Sequence, residues 1–140
     1  MDLAAARQQI QNSFARMDTF YLRPVFDEWA ILSSSSKGGV LAYSGPRAES
    51  FRQQLPDDSG PLRAIIAGRT LETGDFEFAA EASGTRYDAC LKLGSSAYLV
   101  CNHTARAMAE IRRDPKWLKA QAVFFDLSQK FRADPLELQP

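Results

Sequence analysis

Histidine occurs once in this 140-residue chain, at His103, and cysteine twice, at Cys90 and Cys101. A structural zinc site takes four ligands, mostly from these two residue types, so the sequence offers no metal set. Both cysteines sit in apolar stretches that read as strands, and the simplest reading is two buried thiols. A disulfide between neighbouring strands is the alternative, although nothing in the sequence indicates an oxidising compartment. A charge surplus is also missing, because 17 basic residues are cancelled by 17 acidic ones. Binding to a phosphate backbone needs a basic excess, so no nucleic-acid partner is expected. Long hydrophobic runs are absent too. The longest, such as 64–67 and 98–101, are a few residues, whereas a bilayer span needs about 20. Residues 1–11 carry no apolar stretch of the secretory type. The expectation is a cytoplasmic protein without membrane insertion.

The chemistry-bearing residues form no recognisable catalytic set. His103 follows an inferred strand in Asn102-His103-Thr104, with no acid or nucleophile fixed beside it by motif. That tripeptide matches a glycosylation acceptor, which has no meaning in an unsecreted chain. The run Ser33-Ser34-Ser35-Ser36-Lys37-Gly38-Gly39 has its lysine before the glycines and a strand after them, the wrong order for a phosphate-binding loop. Asp57 and Asp58 lie in a Pro-Asp-Asp-Ser-Gly sequence most simply read as a solvated turn, whereas paired acids do acid–base work only when burial sets them apart. Arg112, Arg113, Lys116 and Lys119 make a small basic stretch, either a solvated helix face or a contact for an acidic partner. No catalytic residue, metal or cofactor is expected, and the sequence points to partner binding rather than to an enzyme.

The chain does hold enough apolar material for a core, 45% of its residues, and its length suits one domain over 1–140. Residues 3–21 carry Leu3, Ala6, Ile10, Phe14, Met17 and Tyr21 at helical spacing, with Asp2 placed to cap. Residues 26–34 and 39–43 are rich in β-forming side chains and flank a glycine turn. Residues 62–69 read as a second helix, with Pro61 at its first turn. Three strands follow, over 75–82, 86–93 and 97–102, separated by short turns that imply an antiparallel meander. Asp114-Pro115 starts a last helix over 116–131, with Trp117, Ala120, Phe124, Leu127 and Phe131 on one side and Phe125 widening that apolar stripe. Residues 132–140 read as a loosely packed tail, with Leu136 and Leu138 able to tuck against the sheet.

The predicted order is helix, two strands, helix, three strands, helix. It gives an α/β (α+β) fold, with a five-stranded antiparallel sheet and the terminal helices on one face. This order, with the hairpin phrases Trp29-Ala30-Ile31-Leu32, Gly38-Gly39-Val40-Leu41-Ala42-Tyr43 and Gly94-Ser95-Ser96-Ala97-Tyr98-Leu99-Val100, resembles the roadblock / dynein light chain superfamily. Profilin-like, GAF-like and PAS-like domains share parts of the outline. The resemblance implies a homodimer or heterodimer whose composite surface binds a small Ras-like GTPase, a motor or a scaffold. Bacterial members of the Mgl type regulate a polarity GTPase without supplying a catalytic arginine. Carried onto this chain, the seam falls on Leu62, Ile65, Ile66 and Arg69 with Phe76 and Phe78. From the residues themselves, Leu62, Ile65 and Ile66 leave that helix apolar over much of its circumference, which favours an association face. The alternative is a small-molecule sensor of GAF or PAS character, with a pocket lined by Trp29, Tyr87 and Tyr98.

Overall fold

A computed structural model describes residues 1–20, 26, 28–33, 40–45, 71–78, 89–102 and 108–137. Helix α1 spans Leu3–Phe20, and strands β1 and β2 span Glu28–Ser33 and Val40–Ser44. Strands β3, β4 and β5 span Phe76–Phe78, Ala89–Lys92 and Ala97–Asn102. Helices α2 and α3 span Met108–Arg113 and Trp117–Ala133. The predicted second helix over 62–69 lies outside the described residues.

The five strands form one antiparallel sheet in the order β2-β1-β5-β4-β3. The continuously apolar β5 lies at its centre, where both faces are covered and alternation is unnecessary. All six residues of β1 are buried for the same reason. The β1–β5 pairing joins the β1–β2 hairpin to the β3–β4–β5 meander and runs in unbroken register from Glu28 opposite Asn102 to Ser33 opposite Ala97. Against β2, the register slips between Ile31 and Leu32.

Both long helices pack on one sheet face. Ala6, Ile10 and Phe14 of α1 and Ala120, Phe124, Leu127 and Phe131 of α3 join Trp29, Ile31, Leu91, Leu99 and Cys101 in the main core. The opposite face buries Ala30, Leu32, Cys90, Tyr98 and Val100 in a second cluster. The α1 start is set by Asp2, whose Oδ1 accepts the Ala5 backbone N–H at 2.7 Å. Asp114 does the same work before α3, accepting the Lys116 N–H at 2.9 Å, although the regular helix begins only at Trp117.

Two expectations need correction here. Phe125 does not widen the buried stripe of α3. It sits about 100° around the helix from the fully buried Phe124 and is 60% exposed. The region after residue 132 is not loose throughout, and Leu136 tucks in as expected, while Leu138 lies outside the described residues. The helix continues to Ala133, and Leu136 is fully buried, its N–H donating to the Leu93 carbonyl at 2.9 Å. Ser95 Oγ donates to Glu137 Oε2 at 2.6 Å beside it. This close passage needs Gly94, because a Cβ there would lie 1.9 Å from the Leu136 carbonyl oxygen.

Gly94→Ala must therefore displace backbone, and it is expected to destabilise the fold by about 1–3 kcal/mol in urea unfolding. Combined with Leu136→Ala, its effect should be less than additive, because both changes release the same segment. Phe124→Ala removes the largest shared side chain of the helix–sheet contact and should lower stability by about 3–5 kcal/mol in the same measurement.

Candidate functional site

The described part of the expected seam is β3 and the turn leading into it. Phe76 and Phe78 are two residues apart, so both rings point to the same sheet face. That face is the one α3 covers. The Phe78 ring lies 4.7 Å from Trp117 and 5.2 Å from Phe124, both in edge-on geometry. Phe76 stands 5.6 Å from Phe78 and 6.1 Å from Phe124. The two phenylalanines thus pack inward on α3, yet each stays half-buried because β3 is the outermost strand. Among the described residues β3 pairs on one side only, with β4, Phe76 opposite Leu91 and Phe78 opposite Ala89. Leu62, Ile65, Ile66 and Arg69, expected beside it, lie outside the described residues.

The turn before β3 is held from several directions. Gly74 takes a left-handed φ of 94°, and its N–H donates to the Lys92 carbonyl at 2.9 Å. Ser128 Oγ of α3 donates to the Gly74 carbonyl. Lys92 N–H returns a bond to the Asp75 carbonyl at 3.0 Å, and Lys92 Nζ donates to the Leu71 carbonyl at 2.9 Å. Asp75 receives the Glu72 N–H at 3.0 Å on Oδ2 and Arg132 at 3.3 Å on Oδ1. A side chain at Gly74 would press on Arg132 and on the Ser128 carbonyl, so glycine is required by space as well as by φ. Sequence reading missed this clamp. Ser128 interrupts the apolar side of α3 and was the available signal, but its acceptor lies 54 residues away.

Cys90 and Cys101 occupy adjacent strands, but Cys101 faces Ala89 and Cys90 faces Val100. Adjacent residues alternate faces, so the thiols lie on opposite sides of the sheet, Cys101 in the main core and Cys90 in the second cluster. The disulfide alternative is thereby excluded, and both residues are thiols. Burial, with a smaller contribution from the Glu77 carboxylate, pushes the Cys90 thiol up to about 12. Burial and then Cys90 raise Tyr98 as well. Trp29 and Tyr98 also fall on opposite faces and cannot line one pocket, while Tyr87 lies outside the described residues.

Among the described residues, no three histidine, cysteine, aspartate or glutamate side chains gather as a metal site, and no helix is long and apolar enough to cross a membrane. His103, Asp57 and Asp58 lie outside the described residues. An open groove of about 600 Å³ runs between α1 and β2, lined by Leu3, Ala4, Arg7, Gln8, Gln11 and Leu41. It lies at the opposite sheet edge from β3. Comparison with family models, with curated proteins and with solved structures finds no match in any of the three.

The Cys90 geometry sets an alkaline limit on stability. In the unfolded chain the thiol ionises near 9.0, but in the fold it holds its proton to about 12. The stabilising contribution is whole below pH 9 and is lost as the pH climbs toward 12, with a slope of at most about 1.4 kcal/mol per pH unit. Urea unfolding at several pH values should show this loss in the wild type and a smaller one in Cys90→Ala. In native buffer, neither cysteine should react with an aromatic disulfide reagent until denaturant is added.

Proposed function

We propose that the chain is a homodimeric protein-binding module of the roadblock type, which regulates or tethers a small Ras-like GTPase or an associated scaffold. It acts through shape, apolar contact and rim charge rather than by making or breaking bonds. The observation that carries this reading is the β3 edge. An outer strand offers a row of backbone donors and acceptors to a second chain. Neither lysine nor proline, the usual guards of such edges, occurs in Phe76–Phe78. Both phenylalanines keep part of their rings at the surface. The clamp formed by Ser128, Gly74, Lys92 and Arg132 fixes the entry to the strand, which lowers the ordering cost of association. The apolar sequence 62–69, which lies outside the described residues, precedes this edge and is the other half of the proposed seam.

The separation of Trp29 from Tyr98 by the thickness of the sheet removes the pocket on which the ligand-sensing alternative was drawn. The module reading is therefore preferred.

The test is sedimentation equilibrium on the purified chain. A dimer at micromolar concentration is expected, and Ile66→Asp should convert it to monomer with an unchanged circular dichroism spectrum. A wild-type chain that stays monomeric at these concentrations would sink the dimer. A dimer indifferent to Ile66→Asp would move the seam away from 62–69.

A further inference from the structure

Helix α3 has two apolar stripes, and only one faces the core. The inner stripe is Ala120, Phe124, Leu127 and Phe131. The outer one is Leu118, Ala122 and Phe125, at spacings of four and three residues. Leu118 is 73% exposed and Phe125 60%, and they are the large apolar side chains that stand out at the surface among the described residues. Ala122, between them, is exposed as well. A helix lying on a sheet ordinarily turns a polar face to water. Here the middle of that face is apolar, and Lys119 and Asp126 run along the same flank, seven residues apart.

We propose that this outer face takes α3 of a second copy of the chain, packed antiparallel about a two-fold axis near Ala122. In that orientation the apolar and the charged positions match together. Leu118 lies four residues before Ala122 and Phe125 three residues after it, so an antiparallel copy sets each leucine beside the other's phenylalanine. The small side chain at the axis lets the two backbones approach. Lys119 of each copy then meets Asp126 of the other, and symmetry makes that contact twice. The Asp126–Lys130 pair, 3.3 Å apart and half-exposed, is no obstacle, because an exposed i,i+4 pair contributes little. A parallel arrangement would instead crowd Arg112, Arg113, Lys116 and Lys119 of both copies at one end and align the helix dipoles. The strip covers about two helical turns, less than the roughly 1,200 Å² of a stable complex, so the association is reversible and concentration-dependent. It does not rest on the β3 seam, since α3 meets Phe76 and Phe78 with its other side. With both contacts present, the assembly grows in even steps.

The decisive experiment is site-directed cross-linking of the whole chain under mild oxidation. Ala122→Cys, at the axis, should form a disulfide-linked dimer. Gln129→Cys, on the same stripe but about 10 Å farther along the helix, should not link to itself. Mixing Leu118→Cys with Phe125→Cys should give the mixed dimer. In sedimentation, Leu118→Glu or Phe125→Glu should weaken this self-association by at least about tenfold without altering the fold, because both side chains are exposed. Lys119→Asp should weaken it too, and adding Asp126→Lys should restore it. The Ala122→Cys cross-link should persist in an Ile66→Asp background, which separates this contact from the β3 seam. Equal self-linking at positions 122 and 129 would mean a parallel pair and overturn the proposal. So would an Ala122→Cys yield no higher than that of Gln129→Cys, or a self-association of the Ile66→Asp variant that Phe125→Glu leaves unchanged.

Discussion

The fold turns on the seat of one ring, Phe124. Its side chain is fully buried and stands 5.6 Å from Phe26, 5.2 Å from Phe78 and 6.1 Å from Phe76. One side chain of α3 thereby touches a residue two positions before β1 and both aromatic residues of the edge strand β3. Edge-on aromatic pairs add roughly 0.5–1.5 kcal/mol beyond the area they bury. Their larger effect here is geometric. Among the described residues β3 has three residues and one ladder partner, too little backbone to hold an edge by hydrogen bonds alone. Phe124 and Trp117 hold it from above, and the Ser128–Gly74 bond holds its entry.

The second constraint is that the sheet is buried on both faces. Strands β1 and β5 therefore read as continuous apolar runs, and adjacent residues serve different cores. This separates Cys90 from Cys101 and Trp29 from Tyr98, although each pair looks close when only strand neighbours are counted. A thiol held protonated in a packed cluster behaves as a small apolar side chain and not as a nucleophile.

Local signals carried much of the fold. The Asp2 cap appears where its chemistry places it, whereas Asp114 accepts the Lys116 N–H but the last helix starts at Trp117 rather than at Pro115; the strand over 97–102 has its expected bounds, and the described parts of the other two, Phe76–Phe78 and Ala89–Lys92, lie within theirs. Alternation along β4 puts Ala89 and Leu91 in the main core and Cys90 in the second cluster. Contacts between distant segments were not legible. Gly94 looks like any turn glycine until Leu136 arrives 42 residues later, and Ser128 looks like a defect in an apolar stripe until Gly74 accepts its proton. Phe125 was misread because adjacent phenylalanines suggest a wider core stripe, whereas 100° of helical rotation sends the second one outward. Leu118, Ala122 and Phe125 together were the sign of a second stripe.

Those two stripes set one helix between the two proposed contacts. Through Phe124 and Ser128, α3 sets the position of β3, and through Leu118 and Phe125 it presents an apolar strip on its far side. A rigid helix transmits displacement along its length, so a second chain paired to β3 and a second α3 on the outer face would bear on the same packed unit. Two contacts that share an ordering cost strengthen one another even where no backbone moves. The aromatic seat of α3 is thus both the structural centre of the fold and the physical route by which its two surfaces would be coupled.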